Sequence, residues 1–80
     1  MLTLRIISPE KILYNGDASM VKVPAVGGEF EILDNHAPII SALQKGVVEY
    51  ESAGERKSFV IMGGFVEVHQ NNVDLCVEME

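Results

Sequence analysis

The chain has 80 residues, 48% hydrophobic and 22% charged, a globular balance that excludes a disordered composition. A chain this short makes one domain with a thin core and leaves little room for a deep enclosed active site. Twelve Asp and Glu against six Lys and Arg give a net charge of −6, which repels phosphate backbones and disfavours nucleic acid as a partner.

The single Cys76 rules out an intrachain disulfide framework. Arg5 lies inside the first apolar stretch, unlike the layout of a signal peptide, and no apolar run approaches the ~20 residues of a membrane helix. These features predict a soluble intracellular protein with a neutral or basic partner.

Period-two alternation predicts strands along the whole chain. Over 2–7, Leu2, Leu4 and Ile6 alternate with Thr3 and Arg5. Ser8-Pro9-Glu10 ends that run, 11–14 forms a second strand, and Asn15-Gly16-Asp17 reads as a turn. Val21 and Val23 flank Lys22 over 20–24, and Val26-Gly27-Gly28 turns the chain into 29–33, where Phe30 and Ile32 alternate with Glu29 and Glu31. After Asp34-Asn35-His36 the run 39–43 reads as a strand, although Ala37, Ile40, Leu43 and Gln44 also suit one helical turn. Lys45-Gly46, Ala53-Gly54-Glu55 and Gln70-Asn71-Asn72 separate strands at 47–52, 56–62, 65–69 and 73–79. About nine strands, with turns every 8–12 residues, predict an all-β sandwich of two antiparallel sheets. The expected core rows are Leu4, Ile6, Val21, Val23, Phe30, Ile32, Val60, Val66, Leu75 and Val77, with Ile61 at a sheet end or docking face. Ile39-Ile40 and Val47-Val48 are expected to bury both faces or to lie at a crossover between sheets.

The search for chemistry returns little. Gly27-Gly28 and Gly63-Gly64 lack the Lys-Ser/Thr and helix of a phosphate cradle and read as turns or bulges. Gly63-Gly64 also permits close approach of another backbone, since no Cβ intervenes. A hairpin about 70–72 puts His69 near the turn and Cys76 nearer Val66, so His36, His69 and Cys76 do not converge as metal ligands. Cys76 shares a strand face with Asp74 and Glu78, whose charge opposes thiolate formation. The rows Glu29/Glu31, Glu49/Glu51 and Asp74/Glu78 read as solvated acidic faces or as a surface for a basic partner. In His36-Ala37-Pro38, Pro38 stiffens a corner on which His36 either caps a turn or docks.

Gly28-Glu29-Phe30-Glu31-Ile32-Leu33, then His36-Ala37-Pro38-Ile39-Ile40-Ser41-Ala42-Leu43 and Gly46, resembles the N-terminal domain of the epsilon subunit of F-type ATP synthases. Leu4-Arg5-Ile6-Ile7-Ser8-Pro9-Glu10 looks like that family's opening strand and turn, and Tyr14-Asn15-Gly16 like its next turn. Gly63-Gly64-Phe65-Val66-Glu67-Val68 with Asn72-Val73-Asp74-Leu75 looks like its last hairpin. One departure is Asp34-Asn35, where the family has Pro-Gly before the His; Asn still tolerates a left-handed turn.

The resemblance implies a ten-stranded sandwich in the central stalk, a non-catalytic adaptor that couples proton-driven rotation to ATP synthesis. It implies contact with the gamma subunit through Ser8, His36 and Ser41. It implies contact with the c-ring through Gly27, Gly28, Glu29 and Glu31. No cofactor or metal is implied, the membrane is met only through the complex, and the expected location is the cytoplasmic side of a bacterial inner membrane. Family members commonly continue into a C-terminal helical hairpin, whereas this sequence closes at Glu80. The expectation is therefore a short subunit, one sandwich over 1–80, that assembles without self-inhibition and binds no nucleotide. The alternative is a lipoyl- or biotinyl-like carrier or a protein-interaction module. A carrier's Met-Lys-Met or Asp-Lys-Ala tip is missing: Lys45 precedes Gly46 and Lys57 follows Arg56.

Overall fold

In the computed structural model, which describes residues 1–79, nine strands follow one another along the chain. They are β1 (Leu2–Ile7), β2 (Ile12–Ala18), β3 (Met20–Ala25), β4 (Gly28–Ile32), β5 (Ile39–Leu43), β6 (Gly46–Ser52), β7 (Glu55–Ile61), β8 (Gly63–His69) and β9 (Asn72–Glu78). The segment that also suited a helical turn is strand β5. Its Ile39 and Ile40 point to opposite faces, which the pleat of a strand permits and a helix does not.

The strands pair in the order β2-β1-β9-β8-β5-β3-β6-β7, with β4 attached to the other side of β3. Every pairing is antiparallel except β1 with β9, where Thr3–Ile7 runs alongside Asn72–Cys76. Parallel neighbours need a long crossover, and here the whole chain between the first and last strands supplies it. The path bends at β3, which shares only the pair Ala25↔Leu43 with β5 while its first half pairs with β6. That bend folds the strands into the two facing layers of a sandwich. Across the open side, the Tyr14 ring on β2 lies 4.8 Å from the Tyr50 ring on β6. The Tyr14 hydroxyl bonds the Ser52 hydroxyl at 3.0 Å and the Asp17 carbonyl at 2.8 Å.

One row from each strand fills the interior. Leu2, Leu4, Ile6, Val21, Val23, Ile32, Val48, Ile61, Val66, Val68, Val73, Leu75 and Val77 are all at most 2% exposed. Four expectations are corrected. Val60 is 55% exposed and Ile61 is fully buried, the reverse of the expected faces. Both parities of that strand are apolar, and its partner decides: Phe59 and Ile61 stand opposite Val48 and Gly46, so they share the inner face with Val48 and Tyr50. Phe30 has the expected inward parity, but β4 has a neighbour on one side only, so its ring packs half-buried at the core's margin. Val47-Val48 buries only Val48, and Ile39-Ile40 has only Ile39 half-buried against the core, because the outer faces of these layers are uncovered; Ile40 is 73% and Val47 46% exposed. Finally, Asn15-Gly16-Asp17 is the middle of β2, paired with Arg5, Leu4 and Thr3. The Tyr14 phenol folds over Gly16, where a Cβ would come within 2.9 Å of its oxygen, so an aromatic side chain covers the space of the missing one.

Two-residue turns at Ala53-Gly54 and Gln70-Asn71 close their hairpins with positive φ at both positions (54°, 77°, 50° and 61°). This twist matches that of the flanking strands.

Candidate functional site

The outer face of the layer β5-β8-β9-β1 is built by register. Ala42, Phe65, Cys76 and Ile7 stand side by side on successive strands. Their chain neighbours Leu43, Val66, Leu75 and Ile6 face the core, so this row faces out. Phe65 is 47% exposed, and beside it lies a shallow apolar groove of about 270 Å³ lined by Ile7, Ser8, Pro9, Phe65, Cys76 and Val77. The next row along the strands is Ile40, Glu67, Asp74 and Arg5, with Arg5 and Asp74 paired at 3.3 Å. The Ala42-Phe65-Cys76-Ile7 row forms the apolar end of this face, with exposed Glu78 at its border, and Ile40, 73% exposed, adjoins the charged groups of the next row.

Ser8 sits on the apolar end, half-buried. Its amide donates to the Lys11 carbonyl at 2.9 Å, and its hydroxyl lies 3.3 Å from the Lys11 amide, which fixes the turn from β1 to β2. Ser41 stands opposite Val66, so it turns towards the inner side of the sheet, away from Ala42 and Phe65, and is half-buried there. His36 lies past the far end of β5, in the connection from β4. Its amide donates to the Leu33 carbonyl at 3.2 Å, and its ring lies 6.1 Å from the Phe30 ring. Among the described residues no hydrogen bond or shared cavity joins these three. Ser8 lies in the turn from β1 to β2, Ser41 at the middle of β5 and His36 in the connection before it, so they do not meet in one spot.

The four residues expected at the other surface do come together. Val26-Gly27 closes the hairpin of β3 and β4 between Ala25 and Gly28, with Gly27 at φ 96° and Gly28 at φ 142°. Nothing lies within 4 Å of a Cβ built on either glycine, so conformation and not space requires them. Glu29 and Glu31 are exposed on the outer face of β4. Sequence reasoning missed Lys22 here. It stands directly opposite Glu31 and reaches Glu29 with an Nζ–Oε1 distance of 3.4 Å. The signal was available, because a two-residue turn at Val26-Gly27 sets that register. The other acidic rows are laced in the same way: Arg56 lies 3.9 Å from Glu49 and 3.8 Å from Glu51.

His69 is exposed at the end of β8 opposite Asn72, and Cys76 is half-buried opposite Phe65. Among the described residues no three His, Cys, Asp or Glu side chains are placed to hold a metal ion.

Nine strands in two facing layers, with an exposed apolar row on one and an acidic hairpin on the other, make this an all-β sandwich domain. The family described as "ATP synthase, Delta/Epsilon chain, beta-sandwich domain" matches residues 1–79, and the chain belongs to that family. Among curated relatives, the ATP synthase epsilon chain of Leptospira borgpetersenii is 42% identical over 77 residues, covering 96% of this chain and 61% of the relative. That of Desulfitobacterium hafniense is 41% identical over 76 residues, covering 95% and 58%. The chain therefore spans about three-fifths of the length of these relatives. A chain in the mitochondrial ATP synthase of Euglena gracilis superposes with a TM-score of 0.89 at 23% identity, covering 95% of this chain and 49% of that one. One in the central stalk and c-ring of the Tetrahymena thermophila enzyme gives 0.84 at 21% identity, covering 96% and 63%. At these identities the solved structures establish the shared fold.

Proposed function

We propose that this domain is the rotor adaptor of an F-type ATP synthase. It binds the gamma subunit on one surface and the c-ring on another, passes torque between them, and carries out no bond chemistry itself. It works on the cytoplasmic side of a bacterial inner membrane, which it meets only through the complex. The observation that carries this reading is the outward row Ala42-Phe65-Cys76-Ile7 with its groove beside Ser8, on a chain whose family match runs over 1–79. Ser8, His36 and Ser41 are the proposed gamma contacts, and the hairpin with Gly27, Gly28, Glu29 and Glu31 is the proposed c-ring contact. An exposed aromatic beside a shallow apolar groove suits a dry, shape-matched interface, and the acidic hairpin suits basic loops at its rim.

The test is Phe65→Glu, at an exposed site where the fold tolerates a charge. Gamma binding measured by calorimetry should weaken roughly tenfold or more, because the carboxylate is trapped in a desolvated contact. Unchanged affinity in a folded variant would remove this face from the interface.

A further inference from the structure

The connection from β4 to β5, residues 33–38, carries His36 yet belongs to no ladder. Leu33-Asp34-Asn35-His36 forms a tight turn closed by the His36 amide on the Leu33 carbonyl, with Asn35 at φ 65° in its third position. That geometry is a type II turn, for which Gly or Asn is suited. Closing the turn fixes its shape but not its position on the sandwich. One further hydrogen bond ties it to the next turn of the sandwich: the Asn35 amide donates to Oδ1 of Asn71 at 2.7 Å. Asn71 lies in the turn between β8 and β9, 36 residues away in sequence. Among the described residues the other polar tie of this connection is the exposed ion pair of the N-terminal amine with Asp34.

Asn71 is itself held on both sides. Its carbonyl accepts from the Thr3 amide at 2.8 Å, and its φ of 61° is set by the two-residue hairpin turn. It is half-buried. Its backbone is thus anchored to β1 while its side chain reaches the turn that precedes His36. Asp34-Asn35 replaces a Pro-Gly pair in the resembled pattern, so the stiffness that Pro would give this turn is missing from its own residues.

We propose that Asn71 is a positioning residue, whose side-chain clamp on Asn35 holds the His36-Ala37-Pro38 corner in its docking pose. This rests on the reading of that corner as part of the gamma contact. The clamp acts by preorganisation: a corner already held in its bound pose loses less freedom on binding.

The test uses two variants of the 80-residue chain. Asn71→Gly suits the positive φ and removes only the clamp, whereas Asn71→Asp keeps an acceptor oxygen. Hydrogen exchange is followed at the Asn35 amide, with the Val73 amide in the core as internal reference. Asn71→Gly should speed exchange at Asn35 about tenfold relative to Val73 and weaken gamma binding about fivefold, the worth of one hydrogen bond. Asn71→Asp should restore both. Unchanged Asn35 exchange in Asn71→Gly overturns the clamp, as does failure of Asn71→Asp to restore it. Faster exchange with unchanged gamma affinity, in a preparation where Phe65→Glu still weakens binding, overturns the positioning role and leaves the adaptor reading standing. If Phe65→Glu also leaves gamma binding intact, the positioning role falls and the Phe65 face leaves the interface with it.

Discussion

Two adjacent glycines separate what sequence shows from what register adds. A Cβ on Gly64 would come within 2.1 Å of the Cys76 carbonyl oxygen and 2.9 Å of the Val77 Cα, and its φ is 146°. A Cβ on Gly63 meets nothing nearer than the Leu43 carbonyl at 3.8 Å. Gly64→Ala should therefore destabilise by about 3 kcal/mol or more, through backbone clash and strain together, and Gly63→Ala by less than about 1 kcal/mol. Urea melts of the two variants check this, and equal midpoints would contradict the packing of β8 on β9. The pair was legible as a place of close approach, but which glycine is needed was not, since only the register against β9 distinguishes them. Ala53 makes the complementary point. It holds φ 54° in a two-residue hairpin turn, a conformation that costs a Cβ-bearing residue energy. Ala53→Gly should raise stability by about 0.5–1 kcal/mol, read as a higher thermal midpoint. Alternation and turn composition marked this turn, yet they did not indicate that an alanine bears the strain in it.

At the scale of the strand, alternation located six of the nine elements, at 2–7, 20–24, 29–33, 56–62, 65–69 and 73–79, with the turn signals between them leaving room for the others at 11–14, 39–43 and 47–52. It failed where both rows are apolar. In β7, Phe59 and Ile61 compete with Val60, and only pairing with β6 resolves which row enters the core. Ile61→Ala should cost about 2–5 kcal/mol by opening a cavity, whereas Val60→Ala should fall within about 0.5 kcal/mol of the parent. Paired denaturant titrations measure the difference, and comparable losses would mean that β7 is turned over. Strand β2 shows the opposite error. Asn15-Gly16-Asp17 has the composition of a turn, but a ladder of six pairs with β1 and a tyrosine lid over the glycine hold it extended. Tertiary context overrides local preference there, as it does wherever a pairing partner supplies hydrogen bonds that a turn would lose.

For the whole molecule, the apolar row beside Ser8 lies on the β5-β8-β9-β1 layer and the acidic hairpin on β3 and β4, while His36 lies between them with its ring 6.1 Å from that of Phe30 on β4. The gamma-side candidates were named in sequence by resemblance, but the apolar row that joins Ala42, Phe65, Cys76 and Ile7 was not legible. Its members come from four strands and meet only through the β1–β9, β9–β8 and β8–β5 registers. The hairpin candidates were legible as a group because they are contiguous, whereas the cation among them was not noticed. Lys22 engages Glu29 at 3.4 Å, and no ion pair is formed by Glu31 among the described residues, so Glu31 carries the uncompensated charge of the hairpin.

That asymmetry gives an order of effects on coupling. Glu31→Lys should loosen association with the c-ring more than Glu29→Lys, because Glu29 already shares its charge with Lys22, and the double variant should loosen it most. The effects should be large at 0.01 M salt, where charges act over about 30 Å, and nearly vanish at 1 M, where they act over about 3 Å. ATP-driven proton pumping in reconstituted vesicles, measured across that range with each variant, reads the order directly. A larger loss for Glu29→Lys would make the Lys22 pair itself the recognised feature. Coupling unchanged in the double variant at every ionic strength would take the hairpin out of the rotor contact, since repulsion between like charges in a rim contact is strongest where screening is weakest.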